Sequence, residues 1–150
     1  MGKKTGIIDL TQGEMGTRGN AEIRAEESSL ASEILGISVR ENLGFADAFF
    51  EVNNENLLKI IQKIRKYRPN IVLCNAVSDR HPDHSRASEL VSRACFMSGL
   101  KKIKTFEDNE EQGSFRPHAV YHYIQDRWID PDFIVDITDT YDLKIEAIKC

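Results

Sequence analysis

Ile71-Val72-Leu73-Cys74-Asn75-Ala76-Val77, followed directly by Ser78-Asp79-Arg80-His81-Pro82-Asp83-His84, decides the fold and locates the chemistry. The first run is short and apolar and predicts a buried strand. Pro82 suits the first position of a helix, because its missing N–H would be unpaired there anyway. That helix is expected to run to Ser98, with Ala87, Leu90, Val91, Ala94 and Met97 inward, and Gly99 ends it. Two histidines, two aspartates and an arginine therefore gather where a buried strand hands over to a helix. In open α/β sheets ligands bind at such carboxyl ends of strands. The unpaired N–H groups and positive dipole end of a helix start also favour anions. A capped polar loop would explain a lone His-Pro-Asp. The second histidine and the preceding Asp-Arg pair go beyond that.

Moving upstream, Leu57, Leu58, Ile60, Ile61, Ile64 and Tyr67 form the apolar stripe of a helix capped by Asn53 or Asn54 and stopped by Pro69. Lys63, Arg65, Lys66 and Arg68 load its last turn, as the dipole prefers. Ile37 to Leu43 reads as a strand, and Gly44 to Phe50 as a loop holding Asp47. A further helix runs from an Asn20 cap to about Leu35, with Ile23, Leu30, Ala31, Ile34 and Leu35 on one face and Gly36 as its stop. Thr5 to Thr11 is the first strand. Between them, Gln12 to Gly19 carries Gly13, Gly16 and Gly19 but fits neither the dinucleotide fingerprint nor the Walker pattern. It reads as a mobile or substrate-covering loop. Arg24 stands next to it, with Glu27 or Ser28 as ordinary surface partners.

Downstream, Lys101 to Phe106 is expected to be extended, Glu107 to Ser114 an exposed acidic loop, Ala119 to Ile124 a strand and Phe133 to Ile137 a last strand. Thr138 starts a final helix. Strands alternating with helices predict α/β architecture, a Rossmann-like three-layer sandwich with a mostly parallel sheet, formed by residues 1–150 as one domain. The opening residues already lie in an element and the last helix has no stop signal, a pattern expected of a fragment.

Composition narrows the function classes. A net charge of −4 offers no polyanion-binding surface, and the basic cluster Lys59 to Arg68 is the solvent side of a helix, so no nucleic-acid partner is expected. No apolar run approaches the roughly 20 residues of a membrane span, and no signal peptide is read at Met1-Gly2-Lys3-Lys4. Cys74, Cys95 and Cys150 are odd in number and widely spaced, which fits a reducing cytoplasm and excludes a Cys-rich zinc module.

Imidazoles with a carboxylate, and no thiolate pair, suit catalytic zinc, which needs about three protein ligands and an open position. One turn cannot easily supply three. His84, with His81 or Asp83, makes half of a site. Asp9, Glu14 and Asp47 at other strand ends carry no mark of ligands.

Several segments, in order, resemble the LmbE-like (PIG-L) zinc deacetylase family. They are Asp9-Leu10-Thr11-Gln12-Gly13-Glu14, Gly19-Asn20-Ala21-Glu22-Ile23-Arg24, Asn42-Leu43-Gly44, Arg80-His81-Pro82-Asp83-His84, Pro117-His118-Ala119-Val120-Tyr121 and Pro131-Asp132-Phe133-Ile134-Val135-Asp136-Ile137. The resemblance is closest to members that deacetylate N-acetylglucosaminyl-malate in bacillithiol biosynthesis. It implies a Zn2+ cofactor with His84 as ligand. It further implies His81 as oxyanion stabiliser or acid with Asp83 orienting its imidazole, and Arg24 and Arg80 binding substrate, its malate carboxylates first. The partner would be a small N-acetylated aminosugar conjugate, with homo-oligomer formation open. The family's His-Pro-Asp-Asp-like motif, which follows its first strand and supplies the other ligands and the general base, would lie before Met1. That strand is missing here, so this stretch alone is expected to bind zinc weakly or not at all and not to catalyse. A non-catalytic sugar-conjugate-binding relative and a different metal-dependent hydrolase are the alternatives.

Overall fold

The computed structural model describes residues 3–150 and shows a mixed α/β chain with parallel strand pairs. It divides into two compact units, described here one at a time. One comprises Met1–Phe49 with Pro131–Cys150, and the other Phe50–Asp130.

In the first unit, strand β1 (Gly6–Thr11) and strand β2 (Val39–Phe45) pair in parallel, in register from Gly6 opposite Val39 to Asp9 opposite Asn42. Helix α1 (Ala21–Ile34) connects them. Asn20 caps it, its side-chain oxygen accepting the Ile23 N–H at 2.8 Å, which satisfies one of the donors a helix start leaves open. Gly36 follows the helix at φ +62°, a left-handed stop that a side chain would strain. After a 3₁₀ turn at Thr138–Thr140, helix α4 (Tyr141–Ile148) packs on α1. The guanidinium of Arg40 grips Asp9 with two bonds, Nε to Oδ2 at 2.7 Å and Nη2 to Oδ1 at 3.1 Å, and so staples β2 to β1.

The second unit holds most of the core. Helix α2 (Asn54–Tyr67) is capped by Asn53 and buries Leu57, Ile60, Ile61 and Ile64, as the apolar stripe requires. Each such side chain contributes roughly 1.5–3 kcal/mol. Helix α3 (Pro82–Met97) packs against it through Ala87, Leu90, Ala94 and Cys95. Strand β3 (Ile71–Cys74) pairs in parallel with the later strand β6 (Ala119–His122). Between α3 and β6, strands β4 (Phe106–Glu107) and β5 (Glu110–Glu111) form a small antiparallel hairpin.

Four expectations are corrected. Glu107 to Ser114 is not simply a loop: Asp108 and Asn109 both take positive φ, at 49° and 66°, and turn the hairpin. Such turns favour Asp and Asn at these positions. Phe133 to Ile137 forms no strand. The segment has no ladder partner among the described residues, and Ile134 is 83% exposed. The apolar run at Ile71 is covered on one face only, since Cys74 is buried while Leu73 is 67% exposed. The intended inward face of α1 is likewise not buried; Ile23 and Leu30 stay open.

Candidate active site at the start of helix α3

The loop after β3 is folded around one carboxylate. Asp79 accepts the backbone N–H of His81 (3.0 Å) and of Asp126 (3.1 Å), and it accepts Nδ1–H of His84 at 3.0 Å. Its side chain is all but buried. The backbone N–H of His81 above all, then that of Asp126, with lesser help from His84, hold its carboxyl well below the usual range, at about 2, against the opposing effect of burial. Asp79 is therefore a fixed negative charge under the turn.

The two imidazoles beside it are set in opposite ways, His84 by Asp79 and His81 by the backbone N–H of Asp83. A carboxylate only accepts, so the neutral His84 ring carries its proton on Nδ1 and keeps a lone pair on Nε2. The Gln125 amide nitrogen is the neighbour of that Nε2, at 3.5 Å. His81 is the N-cap of α3, and its Nδ1 accepts the Asp83 N–H at 3.2 Å. The neutral His81 ring must then carry its proton on Nε2. The rings stack with centroids 5.1 Å apart. One offers a lone pair and the other a hydrogen-bond donor.

Asp83 orients His81 through its backbone N–H, while its buried carboxylate accepts from Arg86 Nη1 at 2.6 Å. Arg80 is exposed and reaches Asp126 loosely, Nε to Oδ2 at 3.5 Å. Arg24 belongs to the first unit, where it donates to the carbonyl of Arg18 at 3.4 Å and not to Glu27 or Ser28. Sequence reading counted Asp79 in the cluster without assigning it a role, and gave Arg86 and Gln125 none. For Asp79 the signal was present, since Asp two residues before a helix cap is the pattern of an Asx turn. Gln125 and Asp126 arrive from beyond β6, and no local pattern announces them.

The fit to a metal can be judged from the donors. His84, held on Nδ1 by a carboxylate and met on Nε2 only by the Gln125 amide at 3.5 Å, has the second-partner arrangement that metal-bound histidines use. Among the described residues, however, no group of three or more His, Cys, Asp or Glu side chains could hold a metal ion. One suitable imidazole is present and a complete site is not. Among the described residues no helix is long and apolar enough to cross a membrane.

Comparison with known proteins places this geometry in context. Residues 1–95 match the family model described as PIG-L, GlcNAc-PI de-N-acetylase. A diacetylchitobiose deacetylase of Thermococcus kodakarensis is 30% identical, the match covering 96% of this chain and 54% of that protein. A 4-oxalmesaconate hydratase of Pseudomonas putida is also 30% identical, covering 93% and 54%. The chain spans about half the length of the curated relatives it matches. Among solved structures, that of a conserved protein from Thermus thermophilus superposes with a TM-score of 0.89 at 38% identity, covering 97% of this chain and 64% of that one.

Proposed function

The chain belongs to the PIG-L family, and from that premise we propose that its protein is a zinc-dependent hydrolase removing the N-acetyl group from an N-acetylglucosamine conjugate. The observation that carries the reading is the pair of ring contacts at the head of α3, Asp83 N–H on His81 Nδ1 and His84 Nδ1 on Asp79, which call for opposite tautomers. Amide hydrolysis develops negative charge on the carbonyl oxygen, and a fixed N–H donor beside it stabilises that charge. His81 Nε2–H is such a donor. His84 Nε2 is the lone pair this chain would contribute to a zinc ion, whose chemistry is to acidify a bound water and polarise the amide carbonyl. Asp83 is a positioning residue, and Arg80 offers an exposed fork to a carboxylate.

N-acetylglucosaminyl-malate, in cytoplasmic bacillithiol synthesis, is the proposed substrate, because a dicarboxylate suits arginine forks. The test is a side-by-side assay with zinc supplied. Acetate release is measured from N-acetylglucosaminyl-malate and from N,N′-diacetylchitobiose, and hydration of 4-oxalmesaconate is followed in parallel. The highest kcat/KM on the malate conjugate supports the proposal. Preference for diacetylchitobiose would move the substrate to neutral sugars. Hydration without acetate release would replace the reaction itself; the hydratase relative, as identical to this chain as the deacetylase, is the reason to include it.

A further inference from the structure

The glycine-rich loop Gln12 to Gly19 packs against an arginine. A Cβ built on Gly16 would run into Nη2 of Arg24, and it would also stand 3.1 Å from the Gly13 carbonyl oxygen. A Cβ on Gly13 would lie 3.1 Å from Cδ and 3.2 Å from Nε of the same side chain. Gly13 is needed twice over, since its φ of +67° is in the left-handed region. The Arg24 guanidinium therefore rests where two side chains are missing.

The loop is built to hold that shape. Gly16 N–H donates to the Gly13 carbonyl at 3.0 Å. Asp47 accepts the Met15 N–H at 3.1 Å and the Thr11 hydroxyl at 3.3 Å, and its own N–H donates to Glu14 Oε1 at 2.8 Å. Glu14 and Asp47, the acidic side chains of this loop pair, are thus engaged with backbone. Arg24 has five N–H donors. Among the described residues it makes one hydrogen bond, the 3.4 Å contact with Arg18, and no ion pair. Arg40, in the same unit, shows the opposite state, with Asp9, the Ser28 carbonyl and the Ser32 hydroxyl as acceptors.

We propose that Gly16, together with Gly13, is a positioning residue: the two glycines seat the Arg24 guanidinium so that its unused donors can take the carboxylate or phosphate of an anionic small molecule. The inference rests on the reading of Arg24 as an anion-binding residue. A guanidinium fixed in advance loses less freedom on binding, and its fork matches either oxyanion.

The experiment follows the Arg24 Nε–Hε resonance of the 15N-labelled chain by NMR, identified by its disappearance in Arg24→Lys, while L-malate and separately inorganic phosphate are added. Gly16→Ala is expected to move that resonance in the ligand-free protein and to weaken malate binding about tenfold, the loss of one charge-assisted hydrogen bond. In the Arg24→Lys background, which lacks the colliding Nη2, Gly16→Ala is expected to change malate affinity by less than about twofold. Equal losses in both backgrounds, or an unmoved resonance, overturn the seat. Should Gly16→Ala alone fail to fold, rescue by Arg24→Lys supports the seat and no rescue overturns it. If neither anion shifts Arg24, the anion-binding reading falls, and the ligand-free resonance still decides whether the glycines hold the side chain. Response to phosphate but not malate keeps the seat and assigns it to phosphate-bearing ligands.

Discussion

The second unit contains two clusters of charged and polar groups, each built around one charged side chain and opposite in state. Beyond the end of α3, Arg65 of α2 is 4% exposed and its guanidinium has acceptors on every nitrogen. Nε donates to the Ser98 carbonyl (3.0 Å), Nη1 to the Ile103 carbonyl (2.8 Å) and the Thr105 hydroxyl (2.9 Å), and Nη2 to the Leu100 carbonyl (2.9 Å). It satisfies the carbonyl of Ser98, the C-cap of α3, and two carbonyls of the turn that follows. Burial draws its pKa down, with Glu111 opposing. At the start of α3, Asp79 is equally tied, but to two backbone N–H groups and the His84 ring, and the imidazoles beside it are less fully engaged: His84 Nε2 meets only the Gln125 amide nitrogen at 3.5 Å, and His81 is bonded through Nδ1. A polar cluster with every group satisfied builds structure; one less fully satisfied on its outer side is what the proposed ligand site requires.

The comparison breaks first at Arg65. Arg65→Met should cost about 3 kcal/mol, because several buried acceptors lose their donor at once, read as a fall in the urea midpoint at unchanged slope. A loss below about 1 kcal/mol would mean that this hub is no more structural than the other cluster. Asp79→Ala should cost less, about 2 kcal/mol, but should do something Arg65→Met does not: His84 loses the partner that fixes its tautomer, and its 15N ring shifts move towards a mixture. Unchanged His84 shifts would show that Asp79 does not set it.

The buried thiols extend the contrast to groups with no ligand role. Burial pushes Cys74 up to about 11 and Cys95 up to about 12, while Cys150 is exposed. Folded values above the unfolded one of about 8.5 mean that the folded state keeps protons the unfolded state releases. Their contribution is whole below about pH 8.5 and is lost as pH rises towards the folded values. Stability should fall by about 1 kcal/mol between pH 7.5 and 9, and alkylation of the native protein at pH 8 should modify Cys150 alone. Fast reaction of a second thiol would contradict the burial. The smallest effect belongs to the open cluster. His81→Asn should leave stability within about 0.5 kcal/mol, since Asn caps a helix as well, yet it removes the donor on which the proposed chemistry depends. A large loss of stability would turn His81 into a structural residue.

Much of this is legible in the sequence. The caps at Asn20 and Asn53, the stop at Gly36, Pro82 at the head of α3 and the stripe of α2 are local matters, set by which φ a residue tolerates and which N–H lacks a partner. The motif from Arg80 to His84 was legible for the same reason: five adjacent residues stay adjacent however the chain folds. The sequence also carried a pattern at Phe133 to Ile137 that produced no strand, because a strand exists only with a neighbour to pair with. Apolar faces on α1 and β3 were readable as apolar, but not whether anything would cover them.

What only the tertiary structure decided is which polar groups are spent and which remain open. Arg24, Arg40 and Arg65 look alike in the sequence. One rests between glycines with a single weak bond, one is closed on Asp9, and one is buried among carbonyls more than thirty residues away. Likewise Asp79 meets the N–H of Asp126 only because β3 and β6 pair in parallel and bring their ends together. Backbone geometry is a property of neighbouring residues, and a sequence shows neighbours. The satisfaction of a donor depends on distant chain arriving within about 3 Å, and that is a property of the fold alone.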